Sequence, residues 1–111
     1  MVELEKDYSP ESIDEIAQES FTPLFNLTRI NSTPGEMIFT ADNKMYYFFE
    51  NPAVKMVHRH WCIDIAEIAS YGKTGLAGFK IVLKDGTTLR FSNVFRKMRE
   101  GIIAAIEERK Q

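Results

Sequence analysis

His58, His60 and Cys62 alternate along the run His58-Arg59-His60-Trp61-Cys62. On a strand, side chains two apart share a face, and two imidazoles with one thiol are ligand types that zinc takes. Glu50 or Glu67 could supply a fourth ligand. Three ligands on one short strand nevertheless lack the paired, loop-borne spacing of structural zinc sites. The same alternation sends Trp61 and Ile63 to the opposite, buried face and leaves the histidines toward water. The run is read as solvated strand residues, and no metal is assigned.

A second set of chemically active residues is cationic. Arg96, Lys97 and Arg99 fall in the first turns of a helix, where positive charge opposes the helix dipole at about 0.3–1 kcal/mol each. Free N–H groups and basic side chains converge there, which suits an anion. The bland explanation is pairing with acidic side chains elsewhere, or plain solvation. These three cations and Arg59 are the candidate binding residues. The aromatic run Tyr46-Tyr47-Phe48-Phe49 could stack bases, but its half of the chain is acidic, so alternate core packing is the better reading. Neither a glycine-rich phosphate loop nor a nucleophile elbow is present, and no acid–base pair stands out. No catalytic residue, cofactor or nucleic-acid partner is therefore assigned.

The elements that position these residues follow from periodicity. Ser9-Pro10-Glu11 reads as a helix start, with Ile13, Ile16, Ala17, Ser20 and Phe21 on one face until Pro23. Strands are expected over Leu24–Ile30, Met37–Ala41, Met45–Phe49, Lys55–Ile63, Ala69–Lys73, Gly78–Lys84 and Thr87–Ser92, with a helical turn at Asp64–Glu67. Asp42-Asn43-Lys44 makes one tight hairpin. Asp85-Gly86 makes another, of the two-residue type I′ kind that needs positive φ. Val94–Arg109 closes the chain as an amphipathic helix, capped by Ser92 or Asn93, with Phe95, Met98, Ile102, Ala105 and Ile106 inward. The expected fold is α+β: a strongly bent, seven-stranded antiparallel sheet or partly open barrel, capped by that helix, with an extra N-terminal helix. Residues 1–23 form an acidic helical extension and 24–111 the domain proper.

Charge is divided along the chain. The 111 residues carry a net −2, but residues 1–50 hold −7 and residues 51–111 hold +5. Either the acidic segment complements a basic surface of the same domain, or that surface meets an anionic partner. The lone Cys62 forbids an intrachain disulfide, the acidic N-terminus is unlike a signal peptide, and no apolar stretch approaches a membrane span. A cytoplasmic location is expected.

This order of elements resembles pleckstrin-homology-like domains, the GRAM type included, over roughly residues 24–109. Three stretches carry it: Gly35–Thr40 running into Lys44–Phe49; Trp61-Cys62-Ile63-Asp64-Ile65-Ala66-Glu67-Ile68; and Gly78–Phe91 with its Asp-Gly turn. The middle stretch is also similar to the pleckstrin-like domain that precedes BEACH domains. Phosphoinositide-binding members surround their first hairpin with Lys and Arg, whereas this one offers Arg29 alone beside Glu36. Pleckstrin-homology domains proper usually carry a Trp in the final helix, and this helix has none, which favours a GRAM-like or other divergent member. The resemblance implies a non-catalytic binding or scaffolding module that recognises a protein segment. Its rival is a peripheral binder of anionic lipid through the basic C-terminal half. The oligomeric state is left open.

Overall fold

The computed structural model describes residues 2–3, 15–26, 32–50 and 58–110, and for 2–3, 49–50 and 58–60 the backbone alone. Nine strand segments join one sheet: β1 (Val2–Glu3), β2 (Ala17–Phe21), β3 (Leu24–Asn26), β4 (Ser32–Thr40), β5 (Lys44–Glu50), β6 (His58–Asp64), β7 (Ile68–Thr74), β8 (Gly78–Leu83) and β9 (Thr88–Ser92). A 3₁₀ turn spans Ile65–Glu67, and α1 runs from Arg96 to Arg109. The order across the sheet is β1-β6-β5-β4-β3-β9-β8-β7, with β2 also on β4, and the sheet does not close. Every pairing is antiparallel.

The bend originates at β4. Its first residues pair with β3, Pro34 opposite Leu24, and its later residues pair with β2, Met37 opposite Phe21. The chain between β2 and β3 is Thr22-Pro23, where proline has no N–H to give a ladder. The first strand is thus broken in two, one half in each sheet layer, and β3 carries the crossing to β9 through Phe25 opposite Phe91.

Three sequence expectations need correction. Ala17–Phe21 is a strand, not the end of a helix, and residues 9–14 lie outside the described residues. Ala17, Glu19 and Phe21 are each half-buried and alternate with exposed Gln18 and Ser20, the period of a strand. That alternation competes with the helical spacing, and pairing with β4 decides it. The Asp-Gly turn is a three-residue loop rather than a two-residue type I′ turn. Gly86 N donates to Leu83 O at 2.9 Å, Leu83 N donates to Thr87 O at 2.8 Å, and Gly86 alone there has positive φ, 91°. A type I turn followed by a left-handed glycine matches strand twist equally well. Finally, α1 begins two residues later than expected. Neither Ser92 nor Asn93 caps it: Ser92 Oγ donates to Asn26 Oδ1 at 2.7 Å, and Asn93 takes a left-handed turn with φ 59°. Phe95 therefore faces out, while Val94 takes the buried place.

The remaining strands fall near their expected positions, with residues 27–31 and 51–57 outside the described residues. The core gathers Met37, Phe39, Met45, Tyr47, Trp61, Ile63, Phe79, Ile81, Phe91 and the inward face of α1: Ile102, Ala105 and Ile106. Met98 packs against it half-buried. Tyr47 and Trp61 stack at 5.4 Å with Phe25 against both, burying large area per side chain. On the outer face Ile38 and Phe48 form a small second cluster under Ala17 and Tyr46, so Phe48 is buried although it points away from the main core.

Candidate binding surface

The basic end of the chain is anchored by one side chain that sequence reasoning passed over. Arg109 is buried at the end of α1 and donates in four directions. Nε reaches Thr40 O at 3.2 Å, Nη1 reaches Ala105 O at 3.0 Å and Glu19 Oε2 at 3.1 Å, and Nη2 reaches Gln18 Oε1 at 2.5 Å. Its guanidinium also lies 5.4 Å from the centre of the Phe39 ring. Glu19 thus meets a C-terminal cation, as charge complementarity between the two halves implied, but from a strand. Gly101 completes the junction, since a Cβ there would stand 2.6 Å from the Phe21 ring. The signal in the sequence was an arginine on the apolar stripe of the helix.

The C-terminal half of α1 is fastened to β7. Tyr71 donates its hydroxyl proton to Glu107 Oε1 at 2.8 Å, and Lys110 Nζ donates to Ile68 O at 2.8 Å. Desolvation and the Glu107 carboxylate hold the Tyr71 hydroxyl above its ordinary pKa. β7 is also the last strand of the sheet. It pairs with β8 on one side and with no described strand on the other. Beyond Ile68, whose carbonyl is taken by Lys110, the outward N–H and C=O groups of residues 69–74 therefore have no ladder partner among the described residues.

At the other end of β7, the turn Gly75-Leu76-Ala77 leans on the start of α1, and Val94 N donates to Ala77 O at 2.8 Å. Leu76 is 95% exposed and Phe95 60% exposed, and these two flank that hydrogen bond. Arg96, Lys97 and Arg99 follow Phe95. Arg96 Nε donates to Glu100 Oε1 at 3.2 Å across an exposed i,i+4 pair, while Lys97 and Arg99 have no ion pair among the described residues. Of the three, Arg96 alone is paired among the described residues, and Lys97 is exposed to solvent. Arg59 is not brought to them: it stands on β6 opposite Phe49, in the other half of the sheet, and its side chain lies outside the described residues.

The expected zinc-type run is on a strand as read, with Trp61 and Ile63 buried behind it. His58 and His60 side chains lie outside the described residues. Burial pushes the Cys62 thiol up, with Lys44 pulling it partly back. Lys44 is itself held above its ordinary pKa, by Tyr46 first and Asp42 next. Trp61 Nε1 is buried without a partner among the described residues. A cleft of about 640 Å³ near the C-terminal end of α1 mixes Asp42, Asp64 and Glu67 with Lys84, Arg109 and Lys110, so its charges offset one another.

Solved structures define the class of fold. The chain is similar to the C-terminal PH domain of pleckstrin in complex with D-myo-Ins(1,2,3,5,6)P5. The TM-score is 0.65 at 17% identity, over 86% of this chain and 97% of that one. It is similar as well to the linker-DH/PH domains of p115-RhoGEF, with a TM-score of 0.66 at 8% identity, over 96% of this chain and 34% of that one. A third likeness is to the C-terminal domain of an unknown protein from Leishmania infantum, with a TM-score of 0.63 at 14% identity, over 86% of this chain and 84% of that one. No family model and no curated protein matches the sequence. The fold is pleckstrin-homology-like. No described helix is long and apolar enough to cross a membrane.

Proposed function

We propose that the chain is a non-catalytic binding module whose ligand is an extended segment of another protein, laid along the open edge of β7. One observation carries this reading: a seven-residue edge strand without a described partner, with α1 fixed beside it through Tyr71–Glu107 and Lys110–Ile68. An added strand would satisfy the outward N–H and C=O groups of β7, and the exposed face of α1 would read its side chains. The missing helix tryptophan supports a GRAM-like member within the pleckstrin-homology-like class, and the lone, half-buried thiol supports a cytoplasmic setting.

The test is a peptide-display selection against the folded chain, followed by mapping of amide shifts. Shifts along Ile68–Thr74 and the outer face of α1 support the reading. A selected peptide whose shifts fall away from β7, or a selection yielding none, overturns it.

A further inference from the structure

Side chains alternate strictly along β8 and β9. Phe79, Ile81, Leu89 and Phe91 are buried in the core with α1, and Lys80 and Arg90 take the opposite, outer face. The registers set three residues in one row across that face: Gly72 on the edge strand, Lys80 beside it, and Arg90 beside Lys80. Like charges directly opposite each other destabilise a sheet. Lysine on an edge strand deters unwanted pairing, but β8 and β9 each have a strand on both sides, so that role does not explain these two. Neither has an ion pair among the described residues. The other side chains on that face of β7, β8 and β9 are Ser70, Thr74, Val82, Thr88 and Ser92, none of which can neutralise them.

Gly72 supplies the second observation. A Cβ there would meet nothing within 4 Å, so the row is open between the sheet edge and Lys80. Glycine inside a strand forgoes packing and often marks the close approach of another chain. We infer that the partner of β7 is an acidic segment, with a glutamate or aspartate at the position opposite Gly72, held by Lys80 across the glycine. The inference rests on the edge reading of β7 and specifies its ligand. On an added strand, the residue opposite Gly72 shares its face, and so faces the same side as Lys80. Two strand spacings, about 10 Å, separate that residue's backbone from Lys80. An acidic side chain and a lysine side chain reach toward each other over that span, and no side chain at Gly72 stands between them. Repulsion from Arg90 favours a Lys80 conformer over the open side of the row. The acidic group relieves that repulsion, so the pair Lys80–Arg90 is a liability in the free chain and an attraction in the complex.

The experiment runs one random peptide library against the parent chain and against Lys80→Glu, keeping peptides whose amide shifts fall on Ile68–Thr74. The parent should enrich Glu or Asp at one position, and Lys80→Glu should enrich Lys or Arg there. Proton contacts to Gly72 should identify that position as the one opposite it. Synthetic Glu and Gln forms of one selected peptide then give a ratio of affinities. It should be about threefold in favour of Glu on the parent, the size of a solvent-screened ion pair, and should shrink as salt rises. The ratio should fall to one on Lys80→Gln, invert on Lys80→Glu and shrink on Gly72→Val, which has room for its side chain. Lys44→Gln, on β5, should leave it unchanged. Peptides that bind β7 with no acidic preference, or with a ratio that Lys80→Gln leaves unchanged, overturn the inference while the edge reading stands. A library that yields no peptide on β7 overturns both.

Discussion

Replacing Arg109 by methionine tests how β2 is held to the rest of the domain. Methionine fills the space of the aliphatic stem but removes every donor. Thr40 O loses its guanidinium donor at a fully buried residue, at about 1–3 kcal/mol. Loss of the charge-assisted bonds to Gln18 and Glu19 adds to this. That addition is smaller, because the Glu19 side chain is 39% exposed and can turn to water. Because Glu19 can rehydrate, the orphaned carbonyl of Thr40 and the lost bond to Ala105 O carry most of the loss, and we expect about 3 kcal/mol in total. Urea unfolding with an unchanged m-value reads this directly, and the melting temperature should fall by roughly 10 °C. Glu19→Gln keeps the acceptor and should cost under about 1 kcal/mol. A loss below about 1 kcal/mol for Arg109→Met, or equal losses for the two variants, would refute the reasoning.

Three further outcomes follow from the packing. Gly101→Ala should destabilise despite the helix propensity of alanine, because its Cβ meets the Phe21 ring; in a Phe21→Leu background the penalty should shrink or reverse, as a double-mutant cycle would show. Ile102→Ala should cost about 2–4 kcal/mol in urea unfolding, whereas Phe95→Ala should change stability by less than about 0.5 kcal/mol. Burial, against a small opposing pull from the Phe25 backbone, holds the Tyr47 hydroxyl well above its ordinary value, and it donates to Pro23 O at 2.6 Å. In the unfolded chain it ionises near pH 10, so its contribution is complete below that pH. Above it the contribution falls by up to about 1.4 kcal/mol per pH unit. Alkaline unfolding of Tyr47→Phe, compared with the parent, should lack that slope.

The parts of this molecule legible in its sequence are those governed by local rules. The run of strands, the turns at Asn43 and Gly86, the alternation of Trp61 and Ile63 and the stripe Ile102-Ala105-Ile106 all obey period and turn chemistry. What escaped was decided by distant partners. Ala17–Phe21 fits a helix and a strand about equally, and pairing with β4 under Arg109 selects the strand. Phe95 sits at helical spacing from Met98 and Ile102, but the chain turns at Asn93 and the buried place passes to Val94. The candidate surfaces were half visible. The cations of α1 stand out in the sequence, whereas the free edge of β7 is a property of sheet order, which no local pattern encodes. Leu76 carried a faint signal, an apolar residue between Gly75 and Gly78 where polar turn residues are usual.

Amide hydrogen exchange along β7, with and without a selected peptide, tests the binding-module account most directly. In an antiparallel pair with β8, alternate amides beyond Ile68 face away from the sheet with no ladder partner among the described residues, and they should exchange fast in the free chain. The account predicts that bound peptide slows those outward amides at least about tenfold while leaving the inward ones, already bonded to β8, little changed. Outward amides that exchange equally fast when the peptide is bound would contradict it.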